Sequence, residues 1–460
     1  MSDTQGAAGR RINSLLDANS FVEIGAQVTA RSTDFNLSSA KAPSDGVVTG
    51  YGTVDGSLVY VYSQDASVMG GSIGEMHARK IVNILRMARR MGAPVIGILD
   101  CSGVRLEEST DSLNGLGEIY RAMSMNSGVV PQIAAVIGSC GGGLAFIPAL
   151  SDFAFMADKG CLYVNAPDAI EGNTAEKLDN RTAQFQAESG NVDVTGTEEE
   201  VFAAIRDLLG YLPANNEDEG EQIACTDDLN RSCGAISTVE TAKDAIAQIA
   251  DNGVFFETKK DHATGIVTGF IRLNGSTVGV VANKAQGAVL CACGAEKAAD
   301  FISFCDSFSI PVLTLASPAG FARKERIERV LPAAAARLIH AYASATVPKV
   351  TVVTGKAYGS AYAIMGSKAM GADMVYAWPN AEIGAMDAKA AAKIISADAA
   401  SVRENAEAFA ALQLNVASAA QRGYVDTIIE DADTRKYVIG AFEMLYTKRE
   451  NRPDRKHGTV

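Results

Sequence analysis

Two glycine-rich turns are the residues of this chain best suited to chemistry. The first is Gly138-Ser139-Cys140-Gly141-Gly142-Gly143, followed by apolar Leu144-Ala145-Phe146. The second is Gly355-Lys356-Ala357-Tyr358-Gly359-Ser360-Ala361-Tyr362, 217 positions later. A strand that ends in glycines and opens a helix presents unpaired backbone N–H groups and the positive end of the helix dipole. Such donors can stabilise a developing oxyanion on an acyl thioester without supplying an acid or base. Glycines also permit tight turns and close helix packing, so one turn alone leaves both readings open. Two copies suggest two oxygen-binding sites facing related ligands.

Other chemistries find less support. Neither turn is G-x-x-x-x-G-K-[ST], the nucleotide P-loop. No G-x-G-x-x-G follows an early strand with an acidic residue about 20 positions on. A Ser-His-Asp triad is open on composition, yet there is no G-x-S-x-G elbow. His77, His262, His340 and His457 are scattered, and Cys291/Cys293 form only a C-x-C, so no bound metal is expected. Arg105, with Glu107 and Glu108, follows a strand end, where α/β domains often bind ligands. It could hold a phosphate or carboxylate, or lie on a solvated loop; Asp100 is equally ambiguous. His77 reads as a packing or capping residue. The basic run at Lys448-Arg449 and Arg452 to His457 reads as a solvated charge run.

The elements that must position the turns follow from repetition. Ala93 to Leu99 and Ile310 to Ala316 are short continuous apolar strands 217 positions apart. At that spacing Lys80 matches Lys297, Gly103 matches Gly320, Pro131 matches Pro348, Gly138 matches Gly355 and Gly142 matches Gly359. Val47-Val48-Thr49-Gly50 matches Ile266-Val267-Thr268-Gly269, with hairpin turns at Asp55-Gly56 and Asn274-Gly275. So long a period indicates a duplicated domain. Each copy reads as a hairpin (Gly46–Tyr62; Gly265–Asn283), a helix (Gly74–Met91; Gly294–Phe308), an apolar strand, a helix, a second apolar strand (Gln132–Ile137; Lys349–Thr354), a glycine turn and a closing helix. This is an α/β pattern with strands covered on both faces. The acidic stretch Pro213 to Cys233 is the natural linker, with domains expected at 1–222 and 223–460. Ala388 to Arg422, alanine-rich and free of proline, predicts a long helix stopped by Gly423. Asp426–Glu430 predicts a short strand and Thr434–Arg449 a helix.

The 460 residues carry 41 basic and 54 acidic side chains, a formal charge of −13. That balance disfavours nonspecific nucleic-acid or anionic-membrane binding. Eight cysteines are too few for a disulfide scaffold. There is no signal-peptide core at the start and no apolar run of about 18 residues. A reduced, cytoplasmic protein is expected.

Together these residues resemble the carboxyltransferase (β) subunits of biotin-dependent acyl-CoA carboxylases, of the propionyl-CoA/methylmalonyl-CoA type. The resemblance spans nearly the whole chain. It is most specific from Phe35 to Lys80, including Asp45-Gly46-Val47-Val48-Thr49-Gly50-Tyr51-Gly52, Tyr60-Val61-Tyr62-Ser63-Gln64-Asp65 and Gly74-Glu75-Met76-His77-Ala78. Ser151 to Met156, Ala345 to Val352, Tyr376 to Ile383, Arg422 to Asp426 and Lys456-His457-Gly458 add to it. It implies two tandem crotonase-like domains, acyl-CoA on the first and biotin on the second. It further implies a hexamer built as a trimer of dimers, homo- or hetero-oligomeric. The implied reaction releases carbon dioxide from carboxybiotin, moves the thioester α-proton to the biotin oxygen and lets the thioester enolate capture the carbon dioxide.

By position, Gly142 and Gly143 match the thioester oxyanion hole, while Ser360 and Ala361 match the biotin one. Gly103, Arg105, Gly141, Gly320, Phe321, Gly359, Tyr362 and Ala363 are the accompanying binding positions. The biotin carrier, and a biotin carboxylase or membrane decarboxylase subunit, would be separate chains, since no biotin-attachment Met-Lys-Met and no ATP-grasp segment is present. Both ligand sites depart from the family pattern. Ala322 to Ala333 reads as a charged helix where relatives carry a glycine-, arginine- and histidine-bearing loop. Asn173 to Ala187 lacks the usual glycine pair, and Ala363 replaces an aspartate. Two readings follow: an active carboxyltransferase, or a non-catalytic or half-active paralogue assembling with a fuller subunit. A crotonase-type hydratase, isomerase or thioesterase would need a carboxylate near Gly142 that the sequence does not evidently supply.

Overall fold

The structure is a computed structural model that describes residues 6–31, 42, 44–234, 236–283, 288–396 and 398–451. Parts of the Phe35 to Lys80 match, and all of Lys456 to Gly458, lie outside them. The chain divides into two compact units, 1–219 and 220–460.

In the first unit the strands are β1 (Val22–Glu23), β2 (Val47–Val54), β3 (Ser57–Gln64), β4 (Val95–Cys101), β5 (Gln132–Gly141), β6 (Phe153–Ala157), β7 (Cys161–Tyr163) and β8 (Val194–Gly196). Their sheet runs β1-β2-β3-β4-β5-β6-β8, with β7 paired to the end of β5. The β2–β3 hairpin is antiparallel and everything from β3 onward is parallel.

In the second unit the strands are β9 (Phe255–Thr258), β10 (Ile266–Leu273), β11 (Ser276–Asn283), β12 (Ala288–Leu290), β13 (Val312–Ala316), β14 (Pro318–Phe321), β15 (Lys349–Val353), β16 (Lys356–Tyr358), β17 (Met374–Ala377), β18 (Glu382–Gly384) and β19 (Thr427–Ile428). Their main sheet runs β9-β10-β11-β13-β15-β17-β19, repeating the first sheet strand for strand and direction for direction. The smaller pairings repeat as well. β16 with β18 answers β5 with β7, and Leu290↔Phe321 answers the bridge Ile73↔Val104.

Apolar burial explains the pattern. The helix Glu75–Met91 buries His77, Ala78, Ile81, Val82, Ile84, Leu85 and Ala88 against the first sheet. Its glycine stop, Gly92, has φ +63, and basic Arg89 and Arg90 occupy its last turn. Fully burying one such Ile or Leu contributes roughly 1.5–3 kcal/mol. The helix Ala292–Ser307 plays the same part in the second unit, capped by Cys291 accepting the Gly294 N–H.

One expected element breaks. Ala388 to Arg422 is not one helix but Ala388–Ile395, Val402–Phe409, a π turn at Ala410–Leu414 and Val416–Gln421. Side chains that bond the backbone win over alanine propensity. The Asp398 carboxylate accepts the Ser401 N–H, and Asn415 caps the last segment by accepting the Ala417 N–H. The charged stretch after Phe321 likewise yields only one turn, Glu325–Glu328, before the helix Leu331–Ser344 takes over.

Candidate active site

Both turns sit at the carboxyl ends of central parallel strands, where α/β sheets hold ligands. In the first unit β4 and β5 pair up to Cys101↔Cys140. Gly103 therefore stands two residues beyond one strand position and Gly142 two beyond its neighbour. Gly103 has φ +130 and Gly142 φ +64, conformations that L side chains rarely adopt. Gly103 fixes its own carbonyl by accepting the Ile73 N–H at 2.9 Å. After Gly141 the chain turns through Gly142–Ala145 into the helix Phe146–Leu150. The hydroxyl of Tyr120 donates to the Gly143 carbonyl at 2.6 Å, which ties the turn to the helix that carries Tyr120. Gly141 packs on the Tyr163 ring so closely that a Cβ would lie 2.6 Å from it.

The second unit repeats these conformations. Gly320 has φ +144 and Gly359 φ +62. Gly320 and Phe321 lie on β14, which touches the short helix Gly359–Ala363. Ser360 and Ala363 are exposed, Tyr362 is half-buried and Ala361 is buried. The Tyr358 hydroxyl donates to the Glu382 carboxylate across the β16–β18 pair. Tyr120, Tyr163 and Glu382 carry no local sequence signal, because each reaches its turn from another element, whereas Tyr358 lies within the second turn itself.

The electrostatics favour donors over bases. Burial pushes the Cys140 thiol and the Tyr120 hydroxyl up, and burial with Glu382 pushes Tyr358 up. These groups beside the turns stay protonated at neutral pH. The arrangement suits polarising an oxygen through backbone N–H groups.

Arg105 does not join this constellation. Its side chain is 1% exposed and its Nη1 bonds Asp45 at 2.6 Å and Glu108 at 2.7 Å. Its remaining donors meet Ser72. The ligand-holding role expected for Arg105 gives way to an internal ion cluster, because the strand end folds its guanidinium inward. His77 is a packing residue: its Nδ1 donates to the Asp45 carbonyl at 2.8 Å and its Nε2 meets the Gln64 amide at 3.2 Å.

The carboxyl transferase domain model matches residues 5–460. The chain belongs to that family. This carboxyl transferase chain is 41% identical to the propionyl-CoA carboxylase beta chain of Roseobacter denitrificans, covering 98% of this chain and 93% of the relative. It is 40% identical to the methylmalonyl-CoA decarboxylase subunit alpha of Veillonella parvula, covering 98% and 92%. It is also 40% identical to the methylmalonyl-CoA carboxyltransferase 12S subunit of Propionibacterium freudenreichii, covering 98% and 90%. The crystal structure of transcarboxylase 12S, a hexamer with hydrolyzed methylmalonyl-coenzyme A bound, superposes with a TM-score of 0.94 at 38% identity, covering 99% and 93%. The two units are accordingly crotonase-like, and the carboxyl transferase chain is an enzyme that transfers carboxyl groups.

Proposed function

We propose that this carboxyltransferase moves a carboxyl group between carboxybiotin, held on a separate carrier chain, and the α-carbon of a short acyl-CoA. The first unit takes the acyl-CoA and the second the biotin. The observation that carries this reading is the repeated backbone conformation, Gly103 with Gly320 and Gly142 with Gly359. One scaffold thus offers two donor-lined sites for two oxygens that gain charge in one reaction. The N–H groups of Gly142 and Gly143 would bind the thioester oxygen as the α-carbon loses its proton. The N–H groups of Ser360 and Ala361, flanked by Gly320, Phe321, Tyr362 and Ala363, fit a ureido oxygen because glycine backbone leaves the approach open. Bound biotin supplies the carboxyl carrier and the proton acceptor, which the protonated tyrosines beside the turns do not.

The relatives named above support propionyl- or methylmalonyl-CoA as the substrate class, and give no support to the reading as a non-catalytic paralogue. Biotin carrier protein, a biotin carboxylase or decarboxylase subunit and a hexameric assembly belong to the same proposal. So does a cytoplasmic setting, in keeping with eight free cysteines. The test is the reverse half-reaction. Malonyl-, methylmalonyl-, ethylmalonyl- and glutaconyl-CoA are incubated with the purified chain and biotinyl-lysine, and decarboxylated thioester is scored by chromatography. Biotin-dependent turnover of one class is expected. No turnover of any thioester by a folded, oligomeric chain would overturn the reading.

A further inference from the structure

The strand ends beside the first turn are joined differently from their counterparts in the second unit. In the first sheet the ladder passes from Leu99↔Val136 to Cys101↔Cys140, so Ile137, Gly138 and Ser139 stand opposite Asp100 alone. In the second, the β13–β15 ladder ends at Ala316↔Val353, the counterparts of Leu99 and Val136, and no pair answering Cys101↔Cys140 follows among the described residues. Ser317 stands there in the place of Asp100. A bulge leaves backbone groups without ladder partners and re-aims the chain that follows it.

Asp100 fills this bulge. One carboxylate oxygen accepts the Ser139 N–H at 3.3 Å. The other accepts from Arg11 Nη1 at 2.8 Å, an ion pair whose side chains are 14% and 16% exposed. Gly138 makes the room, since a Cβ there would lie 1.9 Å from the carboxylate. Gln64 Oε1 accepts the Asp100 N–H at 3.2 Å, tying the same residue to β3. The helix Ala7–Leu15 is thereby coupled to the last residues before Gly141.

We propose that Asp100, held by Arg11, is the positioning residue that sets the angle of the Gly141–Gly143 turn. This rests on reading that turn as the thioester oxygen site. Donors work when they are aimed at the oxygen's place in the transition state, and a misplacement of about 1 Å costs on the order of a hundredfold. In the second unit Ser317, at the place of Asp100, instead donates its hydroxyl to the Lys356 carbonyl at 3.4 Å.

The test uses the full chain and three variants, Asp100→Ser, Asp100→Asn and Arg11→Met. Asp100→Ser is expected to lower kcat for methylmalonyl-CoA decarboxylation about tenfold or more, with KM for the thioester and for biotinyl-lysine unchanged within about twofold. Asp100→Asn keeps an acceptor for Ser139 and recovers part of the rate. Combining Asp100→Asn with Arg11→Met costs no more than the worse single change. Amide hydrogen exchange accelerates over residues 139–145 but not over 355–363. Unchanged kcat in an active enzyme, or exchange over 139–145 unaltered in every variant, overturns the proposal. If the unaltered chain turns over no thioester, the functional reading falls, and the exchange experiment still decides whether Asp100 sets the turn.

Discussion

Lys80 and Lys297, 217 positions apart, bury their ammonium groups against equivalent backbone. Lys80 donates to the carbonyls of Ser44 and Val47, and Lys297 to those of Lys259, His262 and Ile266. Val47 and Ile266 are the matching first residues of β2 and β10. Each lysine fastens a helix to the start of its hairpin. Replacing either by Met leaves buried carbonyls unsatisfied and is expected to cost about 1–3 kcal/mol. The two changes share no partner, so their costs should add within about 0.5 kcal/mol in urea unfolding.

Gly103→Ala and Gly320→Ala test the repeated backbone. Nothing lies within 4 Å of a Cβ at either position, so strain rather than collision sets the cost. Each is expected to destabilise by about 1–3 kcal/mol, read as a lower urea midpoint with an unchanged slope.

Gly143→Pro and Ala361→Pro each remove one N–H donor. Either change should lower biotin-dependent decarboxylation about 10²–10³-fold. A melting temperature measured alongside separates a lost donor from a lost fold, which matters most at Gly143, where a Cβ would meet the Tyr120 hydroxyl at 2.9 Å.

Arg105→Met strands two buried acids. Burial already pushes the Asp45 carboxyl up against the lowering pull of Arg105. Removing the cation should cost about 3–5 kcal/mol, the range for breaking a buried pair from one side. Thermal unfolding measures it.

His77 titrates far below its ordinary value, about 3, chiefly because burial disfavours the charged ring. Its Nε2 faces the Gln64 amide and has no acceptor for a second proton. Between about pH 6.5 and about pH 3 the unfolded chain binds a proton the folded chain refuses. Stability therefore falls as pH drops through that window. His77→Gln should flatten that part of the curve of urea midpoint against pH.

The hairpins, the apolar strands and the glycine turns were legible because each announces itself within a few residues, and the duplication made every reading double. Arg105 was not legible. Its type and its place after a strand suit a ligand, and only the packing of Asp45, 60 positions earlier, turns it inward. The alanine-rich stretch misleads for a related reason: composition favours a helix, while Asp398 and Asn415 compete for its backbone amides.

By itself the sequence determined two α/β units of one topology, with a donor-rich turn in the same place in each. Period, strand pattern and glycine positions are local properties that survive without contacts. The tertiary structure alone decided which polar side chains face ligands and which serve the interior. It buried Arg105, His77 and Lys80, and brought Arg11 and Asp100, 89 positions apart, together beside one turn but not the other. Those outcomes depend on desolvation and on pairs distant along the chain, and neither is written in any short run of residues.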